Sequence, residues 1–414
     1  MSASKPEYIS RISTQDAHFP LKDGAGSDAV HSGNVYSYPV TRLRSESGLT
    51  GTGLALLLGG GNGLTCQLIE ALAEPLIGQD IETLMADFGT NLKKIADHPQ
   101  YRWLGPHKGM VHLALASLSN ACFDLWAKAR GVPLWQLLLD LTPEQVVNLL
   151  DLSYLEDVLT KADCLAMLEQ ATSTRAQRED ILKKGYPGYD TSIGWFNYSD
   201  EKVLDNISKA VDAGFSAMKL KVGSSDPDRD IRRAFMVREA AGDDATVMLD
   251  CNQQWTLPQA LTICPQFTDM NPYWIEEPTH PDDVLAHQTL AKAIPFKIAC
   301  GEHVPNRVMF KNFMQAQGMY FVQADCTRLA GVSEFITVSL LAKKFGLPVV
   351  PHVGDMGQIH QHLVLFNHIA IGHEALLLEH IPHLREYFVL PAKVEEGVYQ
   401  TPQEPGSSSD LENL

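Results

Sequence analysis

Residues 216–250 read SAMKLKVGSSDPDRDIRRAFMVREAAGDDATVMLD. The short apolar run SAMKLKV (216–222) carries Lys219 and Lys221 one strand period apart. A polar start, SDPDRD, then opens a helical run that stops at Gly242, and a second apolar run, TVMLD (246–250), ends on Asp250. Strand, helix and strand within about 30 residues make one unit of a parallel sheet. In a parallel barrel the strand C-termini carry the chemistry.

The unit recurs along the chain. Counting from Lys221, ionisable groups fall at Asp250, Glu276, Glu302, Asp325 and His352, at intervals of 29, 26, 26, 23 and 27 residues. The β-like runs are YDTS (189–192), SAMKLKV, TVMLD, YWIEE (273–277), FKIAC (296–300), YFVQAD (320–325), LPVVPH (347–352) and ALLLEH (375–380). Between them lie stretches such as GVSEFITVSLLAKKFG (331–346), with polar starts and Gly ends typical of helices. Eight such units predict an α/β protein built on a TIM-type barrel, with one functional group at the same end of successive strands.

The first 150 residues follow another pattern. VYSYPVTRLRSESGLTGTGLALLL (35–58) alternates like an antiparallel hairpin turning around 45–53. Helical spacing over 64–77 and in VHLALASLSNACFDLWAKARG (111–131), closed by Gly131 before Pro133, completes an α+β domain over 1–150. Residues 151–187 read as a helical connector, 188–381 as the barrel, 382–402 as a return to the first domain, and QEPGSSSDLENL (403–414) as a disordered tail.

Composition narrows the partners. With 414 residues and 45% hydrophobic content the chain can bury two sizeable cores. A formal charge of -17 supplies no basic stripe for a phosphate backbone, which argues against nucleic acid. The start MSASKPEYIS has no apolar signal segment and no apolar run reaches membrane-spanning length, so no membrane partner and a cytoplasmic location are expected. Seven cysteines without a C-x-x-C read as reduced thiols.

Asp250, Glu276 and Glu302 would stand on three successive strands. Three carboxylates so close raise one another's pKa unless a cation joins them, and all-oxygen ligation favours Mg²⁺ or Mn²⁺ over zinc. Asn252 shares the face of Asp250 and is placed to bind a metal-held substrate. Lys219 and Lys221 share another face, where a neighbouring ammonium and a nearby divalent ion are expected to push one toward the neutral form a general base needs. Asp325 and His352 are placed to pair, giving a second acid/base. Such a site removes the proton α to a carboxylate and stabilises the enediolate; reprotonation racemises, whereas loss of a β-hydroxyl dehydrates.

Taken singly, each of these residues reads as an ordinary solvated loop charge; their common phase is what that reading leaves unexplained. GGGNG (59–63) lacks the Gly-Lys-Ser/Thr of a phosphate loop and reads as a loop before a helix. His360-x-His362 reads as a helix start rather than a zinc pair.

KLK (219–221), LDCNQQW (249–255), WIEEP (274–278), CGE (300–302), QADCTRL (323–329) and VPHVG (350–354) resemble the mandelate racemase subgroup of the enolase superfamily. HFPLKDGAGSDAVH (18–31), QYRWLGPHKGMVHLALASLSNACFDLWAK (100–128), YDTSIGWFNYSD (189–200) and WIEEPTHPDD (274–283) are similar to the L-fuconate dehydratases and their relatives acting on L-galactonate. The resemblance implies a capping domain over a (β/α)7β barrel and Mg²⁺ at Asp250, Glu276 and Glu302. It implies Lys221, beside Lys219, as the base for the C2 proton, and His352 with Asp325 as the acid for the leaving 3-hydroxyl. Glu379 would bond the enediolate; Ser27, Asp28 and Tyr36 would contact the sugar chain. A small acid sugar as substrate and a homo-oligomer are further implications.

Departures from the family are local. DMGQIHQHL (355–363) is two residues shorter than the family stretch, with Asp355 where glycine is usual, which would add a carboxylate near His352; His107 replaces a Glu. The leading expectation is a Mg²⁺-dependent aldonate dehydratase, L-fuconate-like in substrate, yielding a 2-keto-3-deoxy acid. The alternatives are a racemase or epimerase on the same scaffold and a non-catalytic metal-binding barrel.

Overall fold

The alternation in VYSYPVTRLRS does make a strand. In the computed structural model, which describes residues 6–22, 24–32 and 35–412, β1 (Ile9–Pro20), β2 (Val35–Ser45) and β3 (Thr50–Leu54) form an antiparallel sheet in that order. β1 pairs along β2 from Ile9↔Ser45 to Pro20↔Val35. The hairpin reading missed β1 because it is an edge strand: only Ile9, Ala17 and Phe19 are buried, and the polar residues between them hide the alternation.

α1 (Asn62–Ala73) and α2 (Gly109–Arg130) pack on this sheet. The approach of α2 is set by glycine, since a Cβ on Gly53 would lie 1.9 Å from the Ser117 carbonyl oxygen and one on Gly51 2.4 Å from that of Ala121. At this short distance the Ser117 hydroxyl donates to the Pro39 and Gly53 carbonyls, at 3.0 and 2.9 Å. α2 stops at Gly131, whose φ of 68° is the left-handed cap expected from the sequence.

After a helical connector that includes Lys161–Thr172, the β/α repeat begins. It runs β4 (Tyr186–Gly194), α3 (Asp200–Asp212), β5 (Ala217–Lys221), α4 (Pro227–Ala241), β6 (Thr246–Asp250), α5 (Leu257–Ile263), β7 (Trp274–Glu276), α6 (Val284–Ala293), β8 (Lys297–Cys300), α7 (Arg307–Ala316), β9 (Phe321–Val322), α8 (Val332–Phe345), α9 (Ile359–Phe366) and β10 (Leu378–His380). The side chains of Ser199, Asp226, Asp283 and Asn306 cap the starts of α3, α4, α6 and α7, as the polar starts required. β4 to β9 pair in parallel in sequence order, and β10 returns to β4. Tyr189, Met248, Trp274 and Phe321 from these strands belong to one buried cluster with Val350.

Two predicted strands are shorter than their sequences. YFVQAD keeps only Phe321–Val322 in the ladder, and LPVVPH contributes one bridge, Val322↔Val349. The Gln323 amide still bonds the Cys300 carbonyl at 3.0 Å, and beyond it the chain turns, Asp325 accepting the Thr327 amide at 2.7 Å.

The cap is bonded into the barrel. Asn120 on α2 donates to the Leu54 and Cys326 carbonyls and accepts from Val332 at the start of α8. His112 on α2 pairs with Glu334 on α8, which also takes Arg307 at 3.2 Å.

The C-terminal segment corrects two expectations. Within 382–402, Leu384 and Phe388 do rejoin the cap beside Phe19, Tyr38 and Leu54. However, β11 (Val394–Glu395) and β12 (Val398–Tyr399) form a hairpin on barrel strand β4. Residues 403–412 are not disordered, and 413–414 lie outside the described residues. The Ser407 amide and hydroxyl donate to Asp124 at 2.6 and 2.9 Å, and Asp410 takes Lys128 at 2.6 Å. Asp124 is a fully buried carboxylate, so it needs the donors that the Ser run supplies. All seven cysteines are free and buried. Among the described residues no helix is long and apolar enough to cross a membrane.

Removing residues 406–414 would take the two Ser407 donors from buried Asp124 and leave it the Thr52 amide and Lys128, at about 0.5–1.5 kcal/mol for each hydrogen bond lost. The midpoint of thermal unfolding should fall by several degrees; an unchanged midpoint in scanning calorimetry would show that the tail is dispensable.

Candidate active site

Strand register puts the charged groups on one level. Lys221 pairs with Asp250, Asp250 with Glu276, and Glu276 with Ala299, three residues before Glu302. Above them a cavity of about 450 Å³ is lined by Lys221, Asn252, Glu302, His352 and Glu379 from the barrel and by Asp28 and Tyr36 from the cap. Lys219 lies beneath, 1% exposed, with Nζ 2.9 Å from Glu276 Oε1, 2.8 Å from Glu379 Oε1 and 3.5 Å from Asp250 Oδ2. Lys221 Nζ is 2.6 Å from Asp250 Oδ2.

The lysines were expected to be pushed toward neutrality by each other together with a divalent ion nearby; among the protein's own groups alone the balance lies the other way. Burial does push both down, but the carboxylates outweigh burial and hold them above the usual lysine range. Repulsion between the two ammoniums is weaker than the pull of Asp250 on Lys221. Asp250 is correspondingly held to about 2, burial being overcome by Lys221 and Lys219. Three carboxylates (Asp250, Glu276 and Glu379) face two ammoniums, so one negative charge is uncompensated. The strain falls on Glu276, whose pKa burial and the neighbouring Asp250 push up to about 8, toward the protonated form, so in the absence of a further cation the excess is relieved by a proton there.

That excess suits a divalent cation, and a second observation agrees. Asn252, 3% exposed and lining the cavity, has a buried Oδ1 without a hydrogen-bond partner, an acceptor left unsatisfied beside the site. Glu302 stands apart from the other two acids, with Oε2 3.6 Å from His352 Nε2 and Oε1 3.7 Å from His303 Nδ1. Glu277, Glu302 and His303 offer ligand atoms within 4.8 Å of one another, a grouping that sequence reasoning missed. Its signals were the second Glu of WIEEP and the His after CGE. Glu277 already accepts from Gln253 and His303, however, so its oxygens are engaged.

His352 and Asp325 pair as expected, Nδ1 to Oδ2 at 2.8 Å. Burial pushes the imidazole down, but Glu302, Asp325 and Glu379 prevail and raise it to about 10. Asp325, completely buried, also receives Thr327 Oγ1 at 2.6 Å and His360 Nε2 at 3.0 Å on its other oxygen.

Residues 202–413 match the enolase C-terminal domain-like family, and residues 20–138 match the mandelate racemase / muconate lactonizing enzyme N-terminal domain. The chain belongs to the mandelate racemase subgroup of the enolase superfamily. Human mitochondrial enolase superfamily member 1 is 39% identical over 97% of this chain and 93% of its own. Its crystal structure superposes with a TM-score of 0.95 over 98% of this chain and 95% of that one. An L-galactonate dehydratase of Hypocrea jecorina is 37% identical over 97% of this chain and 92% of its own. The L-talarate/galactarate dehydratase of Salmonella typhimurium, solved with Mg and L-lyxarohydroxamate, is 25% identical with a TM-score of 0.77, covering 100% of this chain and 93% of that one.

Within this enolase-superfamily frame the cap residues divide. Asp28 and Tyr36 line the cavity, Asp28 also accepting from the His31 amide and ring. Ser27 does not line it: fully buried, its hydroxyl donates to the Gly24 carbonyl and accepts the Asn197 amide, tying the cap loop to the barrel. Asp355 was expected beside His352, but its oxygens accept the Tyr38 hydroxyl at 2.5 Å and the Gly357 amide at 2.7 Å. It fastens the loop after His352 to β2. His107 pairs with Asp97, away from the cavity.

The His352 shift has a definite sign. Its folded pKa lies above the unfolded value of roughly 6.5, so its stabilising contribution is complete below that value and is lost as pH rises through about 10. Nitrogen NMR of the metal-free protein should find the His352 ring still charged at pH 8; titration with the ordinary exposed histidines would contradict the geometry.

Proposed function

We propose that this protein is a Mg²⁺-dependent dehydratase of an aldonate with L-fuconate-like stereochemistry. The observation that carries the reading is one cavity lined both by a lysine, Lys221, at the end of β5, and by a histidine, His352, three residues past the Val349 bridge. Asp250, Glu276 and Glu302 would hold the metal. Bound there, Mg²⁺ would supply the positive charge that offsets the carboxylate excess and polarises the substrate carboxylate.

The remaining work belongs to side chains. Lys221 Nζ takes the proton from C2 as a neutral amine, so it must first leave Asp250, whose carboxylate holds it as an ammonium, and give up its own extra proton to solvent. His352 delivers its Nε2 proton to the 3-hydroxyl as the C3–O bond breaks, Asp325 holding the ring by Nδ1. Water leaves, and the resulting enol tautomerises to the 2-keto-3-deoxy acid. Lys219 and Glu379 are bonded to each other beneath the reacting carbon and keep the base of the site fixed. Asn252, Asp28 and Tyr36 face the substrate chain. The dehydratases of L-galactonate and L-talarate/galactarate among the relatives support this class of substrate.

A panel of aldonates incubated with Mg²⁺ tests the reading. A keto acid should form from L-fuconate or a close relative, and Lys221→Ala should reduce the rate by about 10²–10⁴, the range of a general base. Deuterium uptake at C2 without loss of water would instead indicate an epimerase. A folded, metal-bound protein giving neither would support a non-catalytic barrel.

A further inference from the structure

His360 stands in the first turn of α9, 2% exposed. Its Nε2 lies 3.0 Å from Asp325 Oδ1, which also takes the Thr327 amide and hydroxyl at 2.7 and 2.6 Å. The opposite oxygen, Oδ2, takes His352 Nδ1 at 2.8 Å. Two histidines thus share one buried carboxylate, His352 at the cavity and His360 behind it.

The tautomer follows from competition at Nε2. The Cys326 amide is oriented to donate to this same nitrogen at 3.2 Å and Cys326 Sγ lies 3.4 Å from it, while Nδ1 is buried without a partner. One nitrogen cannot both accept from Cys326 and donate to Asp325. A carboxylate only accepts, so a bare Nε2 at 3.0 Å would set a lone pair against a negative charge. Nε2–H makes a charge-assisted bond, about twice as strong as a neutral one. Three donors then fix Oδ1 and with it the plane of the carboxylate. Burial raises Asp325, yet His360 and the bonds from both rings bring it well below the usual range, so it stays an acceptor for both.

We propose that His360 is a positioning residue for His352: acting through Asp325, it orients the ring that protonates the leaving hydroxyl and has no part in removing the C2 proton. This rests on the dehydratase reading. It concerns a histidine whose sequence context pointed only to a helix start.

The test uses H360L, which removes the donor, and H360Q, whose amide N–H reaches toward the place of Nε2–H. H360N, with a shorter amide, is the second loss variant should H360L not fold. The first readout is the hydrogen-bonded Nδ1–H resonance of His352 in the substrate-free protein; the second compares dehydration with C2 deuterium exchange. Losing the donor should broaden or shift that resonance and lower the dehydration kcat by about 10–100-fold, the usual cost of a lost outer partner, with KM and C2 exchange unchanged. H360Q should restore both. An unaltered resonance and kcat in H360L and H360N overturns the proposal, as does a parallel loss of exchange and dehydration that H360Q fails to rescue. Should the wild type exchange C2 protons without dehydrating any aldonate, the dehydratase reading fails, while the resonance still decides whether His360 positions His352.

Discussion

Everything at the mouth of this barrel follows from a buried excess of acidic groups over lysines. Parallel register sets Lys221, Asp250 and Glu276 level with one another, and β10 brings Glu379 to the same place through its pairing with β4. Burying so many charges is unfavourable unless each is paired, and two lysines cannot neutralise three carboxylates. The site is therefore built to accept one more cation. Helices on the outside and a filled interior below leave the strand ends as the place where that cation can be met.

The cap completes the site as part of one folded body. Arg328 donates to the Glu302 carbonyl and to the Leu56 carbonyl, joining a strand-end acid to the cap. Asp355 reaches Tyr38 on β2, and Asn120 ties α2 to the start of α8. The cavity wall contributed by Asp28 and Tyr36 is thus held at a fixed height above Lys221 and His352. Chemistry and substrate selection reside on different elements joined by these few bonds.

The barrel was legible because its period is encoded twice, in the apolar runs and in the functional groups at their ends. The pairing of His352 with Asp325 followed from the same phase. What escaped reading depended on partners distant in sequence. β1 is polar along most of its length and becomes a strand only against β2. The Ser run at 407–409 resembles a flexible tail until Asp124, nearly 300 residues earlier, is seen to require its donors. The charge state of the lysines turned on distances to carboxylates, which spacing does not give. His360 looked like part of a helix start because its partner, Asp325, lies on another unit of the repeat.

The central claim is that Asp250, Glu276 and Glu302 form one cation site although Glu302 now leans toward His352 and His303. Anomalous diffraction from crystals soaked in Mn²⁺ tests it most directly. A single peak bounded by carboxylate oxygens of all three residues is the expected result. A peak among Glu277, Glu302 and His303, with Asp250 and Glu276 still bound to their lysines, would contradict it.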